Sequence, residues 1–109
     1  MQITKQVLEI MITEADVERK ARIIGRACLA LFRRQTEDEK AANTTTHTNR
    51  KGFTQSDARQ GSITAKYFIK HGTLQDWQVA QWVRQEARGN MRISKYWRQL
   101  DEEARARRG

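Results

Sequence analysis

Proline is absent from this chain, cysteine occurs once, histidine twice, and no apolar run approaches the ~18 residues that a membrane-spanning helix needs. Each absence removes a class of protein. Without proline, helices can run uninterrupted, and a turn-rich β-sandwich is disfavoured. A single cysteine, Cys28, cannot form an internal disulfide or a zinc-binding cluster. Its setting in ARIIGRACLALF is that of a buried thiol in a reducing compartment. His47 and His71 have no carboxylate beside them at ligand spacing, so neither a metal site nor any other cofactor is expected. No signal-peptide pattern opens the chain, which points to a soluble, intracellular protein without membrane contact.

The inventory of catalytic arrangements is equally bare. There is no nucleophile next to a base, no glycine-rich phosphate loop, and no carboxylate pair bracketed by apolar residues. Glu37, Asp38 and Glu39 form an acidic run, but after Thr36 it matches the first turn of a helix. The expectation is a protein that binds and does not catalyse.

What is present is charge. Of 109 residues, 31% are charged and 38% hydrophobic. The mean hydropathy is −0.87, a balance that suits one thin core covered by long charged helix faces. Lys and Arg number 21 against 13 Asp and Glu, a net charge of +8. Most of the basic residues are arginine, whose planar fork matches phosphate and carboxylate. Nucleic acid, or an acidic protein or nucleoprotein complex, is the partner this charge favours.

The pattern along the chain predicts an all-α fold, a compact bundle of four to five helices with one threonine-rich loop, in a single domain. Residues 1–12 suit a helix or a strand; a helix is favoured, with a homodimer contact through this segment as one role for it. A helical region spans 13–42. Thr13 to Asp16 resembles a capping box, and Val17, Ala21, Ile24, Cys28 and Leu31 recur at helical spacing. The opposite face holds Glu18, Arg19, Arg22, Arg26 and Arg33. It reads as a solvated face that could also lie along a phosphate backbone. Gly25 within this helix suggests a close crossing. Thr36 looks like a second cap that opens a continuation or kinked turn to Ala42.

Residues 43–51, NTTTHTNRK, read as the loop, and 52–108 as a three-helix C-terminal core holding all three tryptophans and both tyrosines. Within it Phe53 and Thr54 begin a helix with Asp57 in its first turn, and His71-Gly72 ends it. Thr73 to Asp76 caps the next helix, and the last begins near Ser94. The core is expected between Gly52 and Leu100, with the Asp16 to Gln35 helix packed across it.

From Leu31 onward, Arg34-Gln35-Thr36, Glu39, the threonine-rich loop, Gly52-Phe53, Asp57-Ala58, Lys95-Tyr96 and Gln99-Leu100 resemble a small module of bacteriophage and plasmid proteins of mostly unknown function. The resemblance implies a mobile-element origin and brings no catalytic residue with it. Mobile elements encode anti-CRISPR and anti-restriction proteins among others. The candidate nucleic-acid or partner-binding residues are Arg50, Lys51, Lys66, Lys70, Arg84, Arg88, Arg92, Lys95 and Arg98. Trp82 and Trp97, close to that charge, could stack on unpaired bases if exposed, although Trp77 and Trp97 suit the core better. A helix-turn-helix across His71 to Thr73 would place Gln75, Asp76, Gln78, Gln81 and Arg84 toward bases. The leading expectation is nucleic-acid binding. The alternative is an anti-defence inhibitor that docks on a host nuclease complex.

Overall fold

The computed structural model describes residues 2–42, 52–86 and 89–108, with the side chains of 37–42 and 108 outside that description. The fold is all-α. Among the described residues the helices are α1 (Lys5–Glu14), α2 (Val17–Ala42), α3 (Ala58–His71), α4 (Asp76–Val83) and α5 (Trp97–Arg108). A 3-10 turn, Arg92–Tyr96, leads directly into α5.

The N-terminal segment is helix, as favoured, but its boundaries differ from the pattern reading. Thr4 caps α1 by accepting a hydrogen bond from the Val7 amide at 3.1 Å. The helix then runs through Thr13 and Glu14, because that length carries both Leu8 and Ile12 into the core. Thr13 is therefore no cap. The role passes to Asp16, whose Oδ1 accepts from the Arg19 amide at 2.8 Å. Thr36 does not cap either: α2 is continuous to Ala42, and the Thr36 hydroxyl donates back to the Phe32 carbonyl at 2.9 Å. With Leu8 and Ile12 spent inside the chain, Ile10 is the large apolar residue that α1 leaves exposed.

The long helix is the centre of the core and not a lid across it. Ala21, Ile24, Ala27, Cys28, Ala30 and Leu31 are all buried, a wider arc than one amphipathic stripe. Leu8 and Ile12 meet it from α1, and Phe53, Ala65, Leu74, Trp82, Ile93, Tyr96 and Leu100 complete the cluster. Its closest partner is α3. At that crossing a Cβ on Gly25 would fall 2.2 Å from the Phe68 ring, and one on Gly61 would fall 2.4 Å from Phe53. Glycine lets each aromatic ring sit against a helix backbone, which offsets its poor helix propensity.

Gly72 ends α3 with φ 72°, as its place after His71 suggests. The next helix starts after Gln75, not Thr73, with the Gln75 amide donating to the Gln78 side-chain oxygen at 2.9 Å. It ends at Val83, before Gly89. Beyond it the Arg92 amide donates to the Arg84 carbonyl at 2.9 Å, and Gln85 and Met91 form an isolated antiparallel bridge, so the chain returns alongside itself. This return brings Arg92, Lys95 and Tyr96 under the start of α3.

Candidate functional site

The most concentrated chemistry in the molecule is a carboxylate surrounded by donors. Asp57 stands just before α3, where its sequence position suggests a first-turn residue, yet its side chain makes no capping bond. It turns inward and is 2% exposed. Arg92 donates to Oδ1 through two guanidinium nitrogens at 2.9 and 2.7 Å. On Oδ2, Lys95 Nζ lies at 2.8 Å and the Tyr96 hydroxyl donates at 2.5 Å. The Tyr96 hydroxyl in turn accepts from the Thr54 amide at 3.1 Å.

Burial alone would raise the Asp57 pKa, but the donors Lys95, Tyr96 and Arg92 outweigh it and hold the carboxyl below its usual range. Burial, then the Asp57 carboxylate, pushes the Tyr96 phenol up. Burial also raises Cys28, which stays a thiol in the core. A charged carboxylate locked to two cations and a neutral phenol is an internal strut. It joins the start of α3 to the turn before α5.

This strut corrects part of the sequence-based site. Arg92 is 8% exposed and committed to Asp57, with its guanidinium 4.6 Å from the Trp82 ring centroid. It offers nothing to an outside partner. Lys95 is likewise engaged, to Asp57 and at 3.3 Å to Glu86. The tryptophans exchange roles. Trp82 is fully buried, with its indole N–H donating to the Thr64 hydroxyl at 3.0 Å, whereas Trp77 is 52% exposed. Arg50, Lys51 and Arg88 lie outside the described residues, as does the threonine-rich loop. Arg84 and Arg98 are exposed at separate places, the second 5.2 Å from the Trp97 ring.

Part of the residue pattern that carried the phage-module resemblance lies in the same strut. Asp57, Lys95 and Tyr96 form it. Gly52 exchanges two hydrogen bonds with the Gln99 side chain at 2.7 and 3.0 Å. Arg34 is held by Glu103 at 2.6 Å and Glu102 at 3.0 Å. The pattern thus describes how α2, α3 and α5 are fastened together.

Unpaired positive charge lies elsewhere. Arg19, Arg22, Arg26 and Arg33 are exposed on α2. At 100° per residue they fall within about 60° of one another, along about 21 Å of helix. None forms an ion pair among the described residues, and Glu18, one turn before Arg22, is not within pairing distance of it. On α3, Arg59, Lys66 and Lys70 share an exposed face with Ile63. Lys66 Nζ lies 5.9 Å from the ring of Phe32, so this face borders α2.

The acidic residues explain the contrast. Glu9 accepts from the Met91 amide and Ser94 hydroxyl, and Asp101 from the Ile3 amide, while Glu86, Glu102 and Glu103 hold Lys95 and Arg34. These five carboxylates are engaged around α1, α5 and the preceding turn, away from the basic residues of the α2 and α3 faces.

Among the described residues no group of three or more His, Cys, Asp or Glu side chains is placed to hold a metal ion, and no helix is long and apolar enough to cross a membrane. Compared with family models, curated proteins and solved structures, the chain matches none.

Proposed function

We propose that this is a non-enzymatic accessory protein, of the phage- or plasmid-encoded kind that its residue pattern resembles, and that it binds nucleic acid through the cationic faces of α2 and α3. The observation that carries this reading is the alignment of Arg19, Arg22, Arg26 and Arg33 on one exposed helix face with no acidic partner among the described residues. Lys66 and Lys70, with Arg59, extend the charge across the α2 and α3 pair. Free guanidinium groups on a rigid rod favour phosphate contacts, which position a duplex without reading its bases.

The burial of Trp82 removes the strongest support for base stacking, so duplex is preferred over single strand. The helix-turn-helix reading also weakens, because Gln78 is buried and Gln75 is occupied in its cap and by the Trp77 indole. The alternative of an anti-defence inhibitor docking by protein contacts is favoured by one feature, an apolar groove taken up below.

A gel-shift titration of random duplex and single-stranded DNA at about 50 and 200 mM salt tests the reading. Four phosphate contacts correspond to a slope of about −4 in log affinity against log salt, a loss of roughly a hundredfold or more over that range. Micromolar binding that collapses at the higher salt is the expected result. Absence of binding at the lower salt overturns it.

A further inference from the structure

Between α1, α2 and α5 the surface opens into a groove of about 350 Å³ whose floor includes Leu8, Met11, Ile23, Ala27, Ala30 and Ala104. The space exists because three of those residues are alanine, in positions where larger side chains would close three helices on one another. Its volume falls within the roughly 300–1,000 Å³ of ligand-sized clefts. Two exposed cations rim it, Arg26 from α2 and Arg107 from α5. Neither is ion-paired among the described residues. Glu103 also lines the groove, but its carboxylate is held by Arg34 Nε at 2.6 Å. Immediately beside it, Arg19 and Arg22 join Arg26 around Met11 and Ile23. The available charge at the rim therefore has one sign.

We propose that this groove receives an amphipathic helix of a partner protein, with aliphatic side chains on the inserted face and Asp or Glu along its flanks. An aliphatic floor between helices accepts leucine-like side chains at i, i+3, i+4 and i+7 spacing. The arginines on both walls pair with acidic flanking residues and select against basic ones. Nucleic acid does not suit the floor, which offers no aromatic face for a base to stack on. A second copy of this chain is disfavoured by the net charge of +8. The groove shares Arg26 with the proposed nucleic-acid face, whereas Arg33, Lys66 and Lys70 do not line it.

The test uses a fluorescein-labelled helical peptide of leucine, alanine and glutamate with leucines at that spacing, and a control peptide with lysine for every glutamate. Anisotropy should show micromolar binding of the acidic peptide and none of the basic one. Filling the groove with Ala27→Leu and Ala104→Leu should weaken binding by about tenfold or more while leaving DNA affinity unchanged. Ala104→Leu alone, at a half-buried site, should give a smaller loss and serves where the double variant does not fold. Arg26→Glu with Arg107→Glu should weaken the acidic peptide by about tenfold. The proposal is overturned by equal binding of both peptides, by unchanged affinity in the filled groove, or by sedimentation showing that Ala104→Leu dissociates a dimer.

Discussion

Arg92 and Arg22 are the same residue type in the same basic chain, and the fold uses them in opposite ways. Around Asp57 a buried arginine and a more exposed lysine are bonded to one carboxylate and tied to Tyr96 and Trp82. Along α2 they are exposed and aligned, and form no ion pair among the described residues. The first region uses its charge to join α3 to the turn before α5, and the second leaves it exposed to solvent. Net charge alone therefore overstates what a basic protein can offer. What counts is charge left over after internal carboxylates are served.

The largest effect that separates the regions is on stability. Asp57→Ala leaves Arg92 buried without its counter-ion and should cost about 3–5 kcal/mol in urea denaturation. Adding Arg92→Leu should recover part of that loss, a coupling that a double-mutant cycle reads directly. An Asp57→Ala protein as stable as the parent would mean that the strut carries little of the fold. Next comes Arg22→Glu with Arg26→Glu. This pair should lower duplex affinity by roughly a hundredfold at low salt while changing stability by less than about 1 kcal/mol.

A pH titration sharpens the comparison further. The folded Asp57 pKa lies below the ordinary 3.8. As pH falls through that value the unfolded chain takes up the proton first, and stability present above it is progressively lost. The urea midpoint should drop below pH 4 in the parent and show a weaker drop in the variant lacking both Asp57 and Arg92. The smallest effect belongs to the exposed indole: Trp77→Ala should change stability by no more than about 0.5 kcal/mol. The corresponding Trp82→Ala, by contrast, empties a fully buried site.

The helices were readable because their signals are local. Apolar residues at helical spacing placed α2, and Gly72 ended α3 where its position after His71 implied. Cap assignments slipped by a few residues, since Thr13, Asp16, Thr73 and Gln75 are all acceptable caps and the fit of Ile12 and Gln78 into the core decides among them. The two tryptophans of α4 are five positions apart, or about 140° around the helix, so one had to face out. Leu74, Gln78 and Trp82, in steps of four, form the inward row. That row was legible, but the apolar character of Trp77 obscured it.

The strut was not legible. Asp57 and Arg92 lie 35 residues apart, and no local pattern joins them. The co-occurrence of Asp57 with Lys95-Tyr96 in one residue pattern was the available sign. The α2 stripe was visible as a row of arginines. Its freedom from acidic partners depended on where Glu9, Glu102 and Glu103 would be used.

The most direct test of this division is the salt dependence of duplex binding across single neutralisations. Arg33→Gln and Lys66→Gln should each reduce the slope of log affinity against log salt by about 0.9, the signature of one lost phosphate contact. Lys95→Gln, already serving Asp57 and Glu86, should leave the slope unchanged. The opposite pattern, with the slope falling for Lys95→Gln and unchanged for Arg33→Gln and Lys66→Gln, would contradict the account.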